Sequence, residues 1–229
     1  MATDSLEMIR LVAARLGPLV ERVVFLGGAV VGLLVEDPGS EPPRATDDVD
    51  VIIDVTSYWA FSTVLDKQLR GLGFATPMGG RIGRWIIEGV SVDIMPIDEA
   101  ALGFGNRWYR AAFDSAGRYS FPDGTAIRLV TAPCFLATKL EAFKSRGRGD
   151  YAVSQDIEDF VAVIDNRRTL EADVRAAAVD VRTYLVGEIR RLLADPAFEE
   201  ALPGYLRGEP ARQARLPDVL ASLQRIAGI

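Results

Sequence analysis

The hydrophobic period changes once along this chain, near residue 131, and that change limits the fold more than any other feature. Before it, short β-type runs alternate with helical segments. After it, every apolar pattern is helical. The β-type runs are Val23-Val24-Phe25-Leu26, Val49 to Val55, Arg84-Trp85-Ile86-Ile87, Val90 to Met95 and Thr125 to Val130. A helix is expected over 4–16, where Leu6, Ile9, Val12, Ala13 and Leu16 recur at helical spacing. Asp4 and Glu7 stand at capping-box spacing, and Gly17-Pro18 ends the run. Another is expected over Ala29 to Val35 and a third over 57–71. Glu88-Gly89 between two β runs signals a hairpin. Glu36 to Thr46, rich in Pro, Gly and charge, reads as a loop. Beyond Pro133 helices are expected at 133–145, 154–166, 169–193 with a break, and 216–226. The expected architecture is α/β (α+β): a mixed sheet with flanking helices over residues 1–131, then a helical C-terminal domain over 132–229.

The 229 residues contain no histidine and one cysteine, Cys134. Ser-His-Asp and Cys-His catalysis, His-ligated zinc and an internal disulfide are therefore excluded. Chemistry here must use carboxylates, lysine, arginine, hydroxyls and hard metal ions. Cys134 lies in an apolar run and reads as a core residue. Apolar residues make up 49% and charged residues 25% of the chain, an ordinary balance for a globular protein. The net charge of −6 argues against a general nucleic-acid binder, so any nucleic-acid contact must rest on a local basic patch. No apolar stretch is long enough to span a bilayer and no signal peptide is recognisable, so no membrane association and a cytoplasmic location are expected.

Asp48 and Asp50 open the run Asp-Val-Asp-Val-Ile-Ile-Asp-Val. In a strand, residues two apart point to the same face, so the two carboxylates stand side by side. They repel unless a cation or proton lies between them, and hard oxygen ligands suit Mg²⁺, with Mn²⁺ as an alternative. Asp93, inside the apolar run Val92-Asp93-Ile94-Met95, is the candidate third metal ligand, because an Asp there is costly unless paired or metal-bound. Gly27-Gly28, after a β run and before a small-residue helix, permits close approach of a backbone to phosphate. Arg81 and Arg84 flank a β run, and steadying phosphate or RNA is as fair a reading as a structural one. Arg146 and Arg148 lie in a basic Gly-containing loop, read as solvated or as a contact for nucleic acid. Trp85 and Trp108 read as core residues, with base stacking a minor alternative.

Gly27-Gly28 followed by Asp48-Val49-Asp50 resembles the signature of the polymerase-β-like nucleotidyltransferase superfamily. The fuller run Arg44-x-Thr46-x-Asp48-Val49-Asp50 is similar to the AbiEii-type (MenT-like) nucleotidyltransferase toxins of bacterial toxin–antitoxin systems. Lys139 in Ala137-Thr138-Lys139-Leu140-Glu141-Ala142 looks like that family's helical lysine motif, and Asp156 in Ser154-Gln155-Asp156-Ile157-Glu158-Asp159 like its last acidic motif. Gln155 stands where the family often has a basic residue, which leaves Asp156 and Asp159 as alternatives for the acidic role.

The resemblance implies transfer of an NMP from an NTP to a hydroxyl acceptor. Asp48, Asp50 and Asp93 would hold metal, and Gly27, Gly28, Arg44, Thr46 and Lys139 would handle the nucleotide. Asp156 would support the site. It implies further a tRNA 3′ end as acceptor and a cognate antitoxin as partner. The other readings are a small-molecule (aminoglycoside-like) nucleotidyltransferase and a non-catalytic nucleotide-binding module.

Overall fold

The computed structural model describes residues 4–36, 44–55, 57–146, 149–206 and 214–228. These fall into two compact units, one of residues 4–32 and 44–131, the other of residues 33–36 and the described residues from 132 onward. The expected loop Glu36 to Thr46 lies outside the described residues over 37–43, as does Arg148.

The first unit is built on a six-stranded sheet among the described residues, in the order β3-β4-β2-β1-β6-β5. The strands are β1 (Val23–Leu26), β2 (Asp48–Ile53), β3 (Arg84–Ile87), β4 (Val90–Pro96), β5 (Gly117–Ser120) and β6 (Ala126–Leu129). Pairing is mixed: β2 runs parallel to β4 and β1 parallel to β6, while β1–β2, β3–β4 and β5–β6 are antiparallel. Helix α1 (Ser5–Leu16) starts where expected, with the Asp4 carboxylate accepting from the Leu6 amide at 3.1 Å. It buries Met8, Ile9, Val12, Ala13 and Leu16, and it packs against β2 and β4. Burying each large apolar side chain of such a face contributes about 1.5–3 kcal/mol.

Glu88 and Gly89 both adopt positive φ, 48° and 83°, the backbone of a two-residue type I′ turn, so the β3–β4 hairpin forms as its sequence suggests.

Three local expectations are refined. The Gly17-Pro18 stop ends α1, but the chain continues as a 3₁₀ helix over Gly17–Arg22, because proline suits a first helical turn. The small-residue helix shrinks to a 3₁₀ turn at Gly28–Val30 and the four-residue α2 (Val31–Leu34). The helix after β2 is π-wound over Ala60–Leu65 before α3 (Asp66–Gly71). Two further elements, α4 (Tyr109–Asp114) and the edge strand β5, carry too few buried apolar residues to show a period, and the sequence did not reveal them.

The second unit is helical: α5 (Ala132–Arg146), α6 (Gln155–Asn166), α7 (Leu170–Ala176), α8 (Val179–Leu193), α9 (Pro196–Tyr205) and α10 (Leu216–Ala227). The break expected within 169–193 falls at Ala177-Ala178. Helix α9, capped by the Asp195 carboxylate and opened by Pro196, was not expected. Helix α5 packs on α6, α7 and α8, and α10 on α6, α7 and α8. Ser154 caps α6 through its hydroxyl, which accepts from the Ile157 amide at 3.3 Å. Residues 33–36 are tied to this unit: Asn166 accepts from the Glu36 amide at 3.0 Å, and Arg167 donates to the Leu34 carbonyl at 2.8 Å. Among the described residues no helix is long and apolar enough to cross a membrane.

Candidate active site

The period of β2 puts Asp48 and Asp50 on one face, and its register with β4 decides what joins them. Asp50 is paired directly with Asp93, and Asp48 with Ser91. On the far side of β4, Asp93 is paired with Arg84; on the far side of β2, Asp50 is paired with Leu26. Facing residues in register share a face. One row therefore crosses four strands: Arg84, Asp93, Asp50 and Leu26, with Gly27 at the end of β1. Asp93 is buried, whereas Asp48 and Asp50 are half-buried.

Gly27 meets a steric requirement at the end of that row. Its φ is 79°, and a β-carbon added there would lie 1.9 Å from the Asp50 Oδ2. Only a residue without a side chain lets the turn after β1 close against the Asp50 carboxylate. Thr46 orients the neighbouring acid, its hydroxyl donating to Asp48 Oδ1 at 3.2 Å. Arg44 donates to the adjacent Ala45 carbonyl at 3.3 Å.

Two arginines neutralise the acids. Arg84 Nη2 donates to Asp48 Oδ2 at 2.6 Å and to Asp93 Oδ2 at 2.8 Å, and its Nε donates to Asp93 Oδ1 at 2.7 Å. Arg81 pairs through Nη2 with the Asp93 carboxylate. The hydrogen bond to Asp93 holds the Arg84 guanidinium pKa above its ordinary value, against the opposing effect of desolvation, with the charges of Asp93 and Asp48 adding to the rise. Both arginines were open between a phosphate role and a structural one; the geometry makes each a partner of the acidic row. Their distance in sequence from Asp48 hid this, since only the strand order β3-β4-β2 brings them together.

Among the described residues no three His, Cys, Asp or Glu side chains converge as a ready metal cage. The donor chemistry nevertheless fits a hard divalent ion. Asp50 and Asp93 are register neighbours with Asp48 two residues along the same face, and the Asp50 carboxylate fills the space that a side chain at position 27 would take. Arg84 stands between Asp48 and Asp93 as the positive charge that such a row of carboxylates demands.

The other two expected site residues belong to the helical unit. Lys139 on α5 is buried, with Nζ 2.6 Å from Asp159 and 3.4 Å from Asp156, both on α6. Arg146, at the end of α5, donates through Nε and Nη2 to Asp156 at 3.0 and 2.9 Å. It is thus a partner of a buried acid rather than simply a solvated loop cation. Burial pushes the Asp156 carboxyl up, but the Arg146 hydrogen bonds and the Lys139 charge outweigh it and hold it below the usual carboxylate range. The i, i+3 pair Asp156 and Asp159 divides the work, with Asp159 the closer partner of Lys139. Trp85, Trp108 and Cys134 are all buried.

This mixed sheet with flanking helices is a nucleotidyltransferase-like fold. Among solved structures it matches the crystal structure of an antigenic nucleotidyltransferase-like protein from Paracoccidioides brasiliensis, with a TM-score of 0.51 and 18% identity, over 88% of this chain and 93% of that one. No protein-family model matches the chain, and no curated protein does.

Proposed function

We propose that this protein is a nucleotidyltransferase, moving an NMP from an NTP to a hydroxyl acceptor and releasing pyrophosphate. The observation that carries this reading is the register of β2 on β4, which sets Asp50 beside Asp93 with Asp48 on the same face. Asp48, Asp50 and Asp93 would hold Mg²⁺ or Mn²⁺, which when bound supplies charge neutralisation at the reacting phosphate. The chain's own residues position and neutralise, as phosphoryl transfer requires.

Thr46 holds the Asp48 carboxylate in place. The Gly27-Gly28 turn admits the triphosphate close to the backbone, and Arg44 adds positive charge to its binding, as the motif resemblance implies. Asp93 accepts the acceptor's proton. Lys139 contributes to triphosphate binding, as the motif resemblance implies. Asp156 holds Arg146 at the end of the same helix.

The Arg44-x-Thr46-x-Asp48-Val49-Asp50 run supports an AbiEii-type toxin with a tRNA 3′ end as acceptor and a cognate antitoxin as partner. The purified protein incubated with each labelled NTP, Mg²⁺ and total RNA should yield a labelled band of tRNA size. Asp48→Ala should abolish that band while leaving the fold intact. Absence of labelling with every NTP, or undiminished labelling by Asp48→Ala, would overturn the reading.

A further inference from the structure

Beside the carboxylate row lies a cleft at the edge strand β3, with a volume of about 250 Å³. It is bounded by Tyr58, Phe61 and Ser62 of the helix after β2, by the loop over 76–83, and by Arg81, Arg84 and Trp85. The loop is held in shape at both ends. Ala75 and Ile86 exchange backbone hydrogen bonds at 2.9 and 2.7 Å, and the Gly83 carbonyl accepts from the Ile94 amide at 2.8 Å. Gly83 has φ 89°, and a β-carbon there would lie 2.8 Å from the Ile94 oxygen, so the loop's return to β4 requires glycine.

Large apolar groups are left in solvent at this cleft. Tyr58 is 59% and Ile82 54% exposed on its walls, and Trp59, beside Tyr58 in the chain, is 66% exposed. An aromatic surface of this kind next to a cation suits a flat, anionic ligand.

The charge of the lining is positive. Asp66, its one acid, is taken by Arg70 at 2.8 and 3.2 Å, whereas the Arg81 side chain is 60% exposed. Arg81 spends only Nη2 on Asp93 among the described residues, and an arginine carries five N–H donors. It therefore reaches the acidic row with one arm and offers the others to the cleft.

We propose that this cleft binds the unpaired 3′-terminal nucleotides of a nucleic-acid acceptor, with a base stacked on Tyr58 and a backbone phosphate paired with Arg81. This deepens the nucleotidyltransferase reading and rests on it for the word acceptor. A phosphate on Arg81 draws that arginine from Asp93, which Arg84 still holds through Nε and Nη2. A cationic small-molecule acceptor is disfavoured at the same place, because the one acid of the lining, Asp66, is already held by Arg70.

The test uses the full chain and a fluorescent single-stranded RNA hexamer, with binding followed by anisotropy at several salt concentrations. Tyr58→Ala should weaken binding about tenfold without changing its salt dependence, while Tyr58→Phe, which keeps the ring, should bind like the parent. Arg81→Ala should weaken binding and also reduce the slope of log K against log salt by about 0.7, the signature of one lost phosphate contact to a single strand. NTP affinity, measured separately, should be unchanged by Tyr58→Ala.

Hexamer binding indifferent to both substitutions overturns the proposal, as does a Tyr58→Ala loss confined to NTP, which would make the cleft a donor-base pocket. The two readings fail separately. Tyr58- and Arg81-dependent binding without any nucleotide transfer sinks the enzymatic reading and leaves the cleft. Transfer to RNA with a hexamer affinity insensitive to both residues does the reverse.

Discussion

Gly27 and Asp50 are in steric contact: a β-carbon on the glycine would lie 1.9 Å from the Asp50 Oδ2. The first residue of the Gly-Gly turn and the second acid of the Asp-x-Asp pair thus form one unit, although 23 positions separate them in the sequence. Gly27→Ala must push the carboxylate aside and also hold alanine at φ 79°, a strain of about 1–3 kcal/mol before the clash is counted. Gly89→Ala, at φ 83° with nothing within 4 Å of the added carbon, carries only the backbone strain, about 1–2 kcal/mol. Urea denaturation of the two variants should show the larger loss at Gly27. Equal losses would deny the contact with Asp50.

Arg84→Ala removes the guanidinium that bridges Asp48 and Asp93. Breaking a buried pair from one side costs about 3–5 kcal/mol, and the remaining Arg81 partner and the partial exposure of Arg84 bring the expected loss toward 2–3 kcal/mol. If these acids hold a divalent ion, Mn²⁺ should raise the melting temperature of Arg84→Ala more than that of the parent protein, because the ion supplies the charge the arginine had supplied. A smaller rise in the variant would separate Arg84 from the metal-binding acids.

In the helical unit, Lys139→Met removes the ammonium 2.6 Å from the buried Asp159 carboxylate and should cost about 3–5 kcal/mol. Replacing both partners, Lys139→Met with Asp159→Leu, should recover much of the loss, since neither charge is then buried alone. Chemical denaturation of the two single variants and the double variant measures this coupling. Additive losses would mean that the 2.6 Å contact stores no mutual stabilisation.

Asp156 makes stability sensitive to acid. Its carboxyl pKa is held below the unfolded value of about 3.8, so its contribution is fully present above that value and is lost as pH falls through the lower, folded one. Denaturation of the parent and of Asp156→Asn from pH 7 downward should show a constant gap near neutrality. The gap should narrow once pH drops below about 4. A gap that widens in acid would reverse the assigned direction.

The sequence by itself determined what depends on neighbours along the chain. The change of period near residue 131 separated sheet-forming from helical segments. A spacing of two put Asp48 and Asp50 on one face, Glu88-Gly89 made its hairpin, and Asp4 and Ser154 capped their helices. The missing histidines restricted the chemistry to carboxylates and cations. Elements with weak period, such as β5 and α9, were not legible, because a short or largely exposed segment leaves little apolar pattern.

Only the tertiary structure decided the partners. The order β3-β4-β2 brought Arg84 to Asp48 and Asp93, and the turn after β1 set Gly27 against Asp50. The packing of α5 on α6 committed Lys139 to Asp159 rather than leaving it on a solvated face. The physical reason is the same in each case. Local spacing fixes the direction in which a side chain points, whereas the charge it meets there comes from a strand or helix placed by long-range burial of apolar surface.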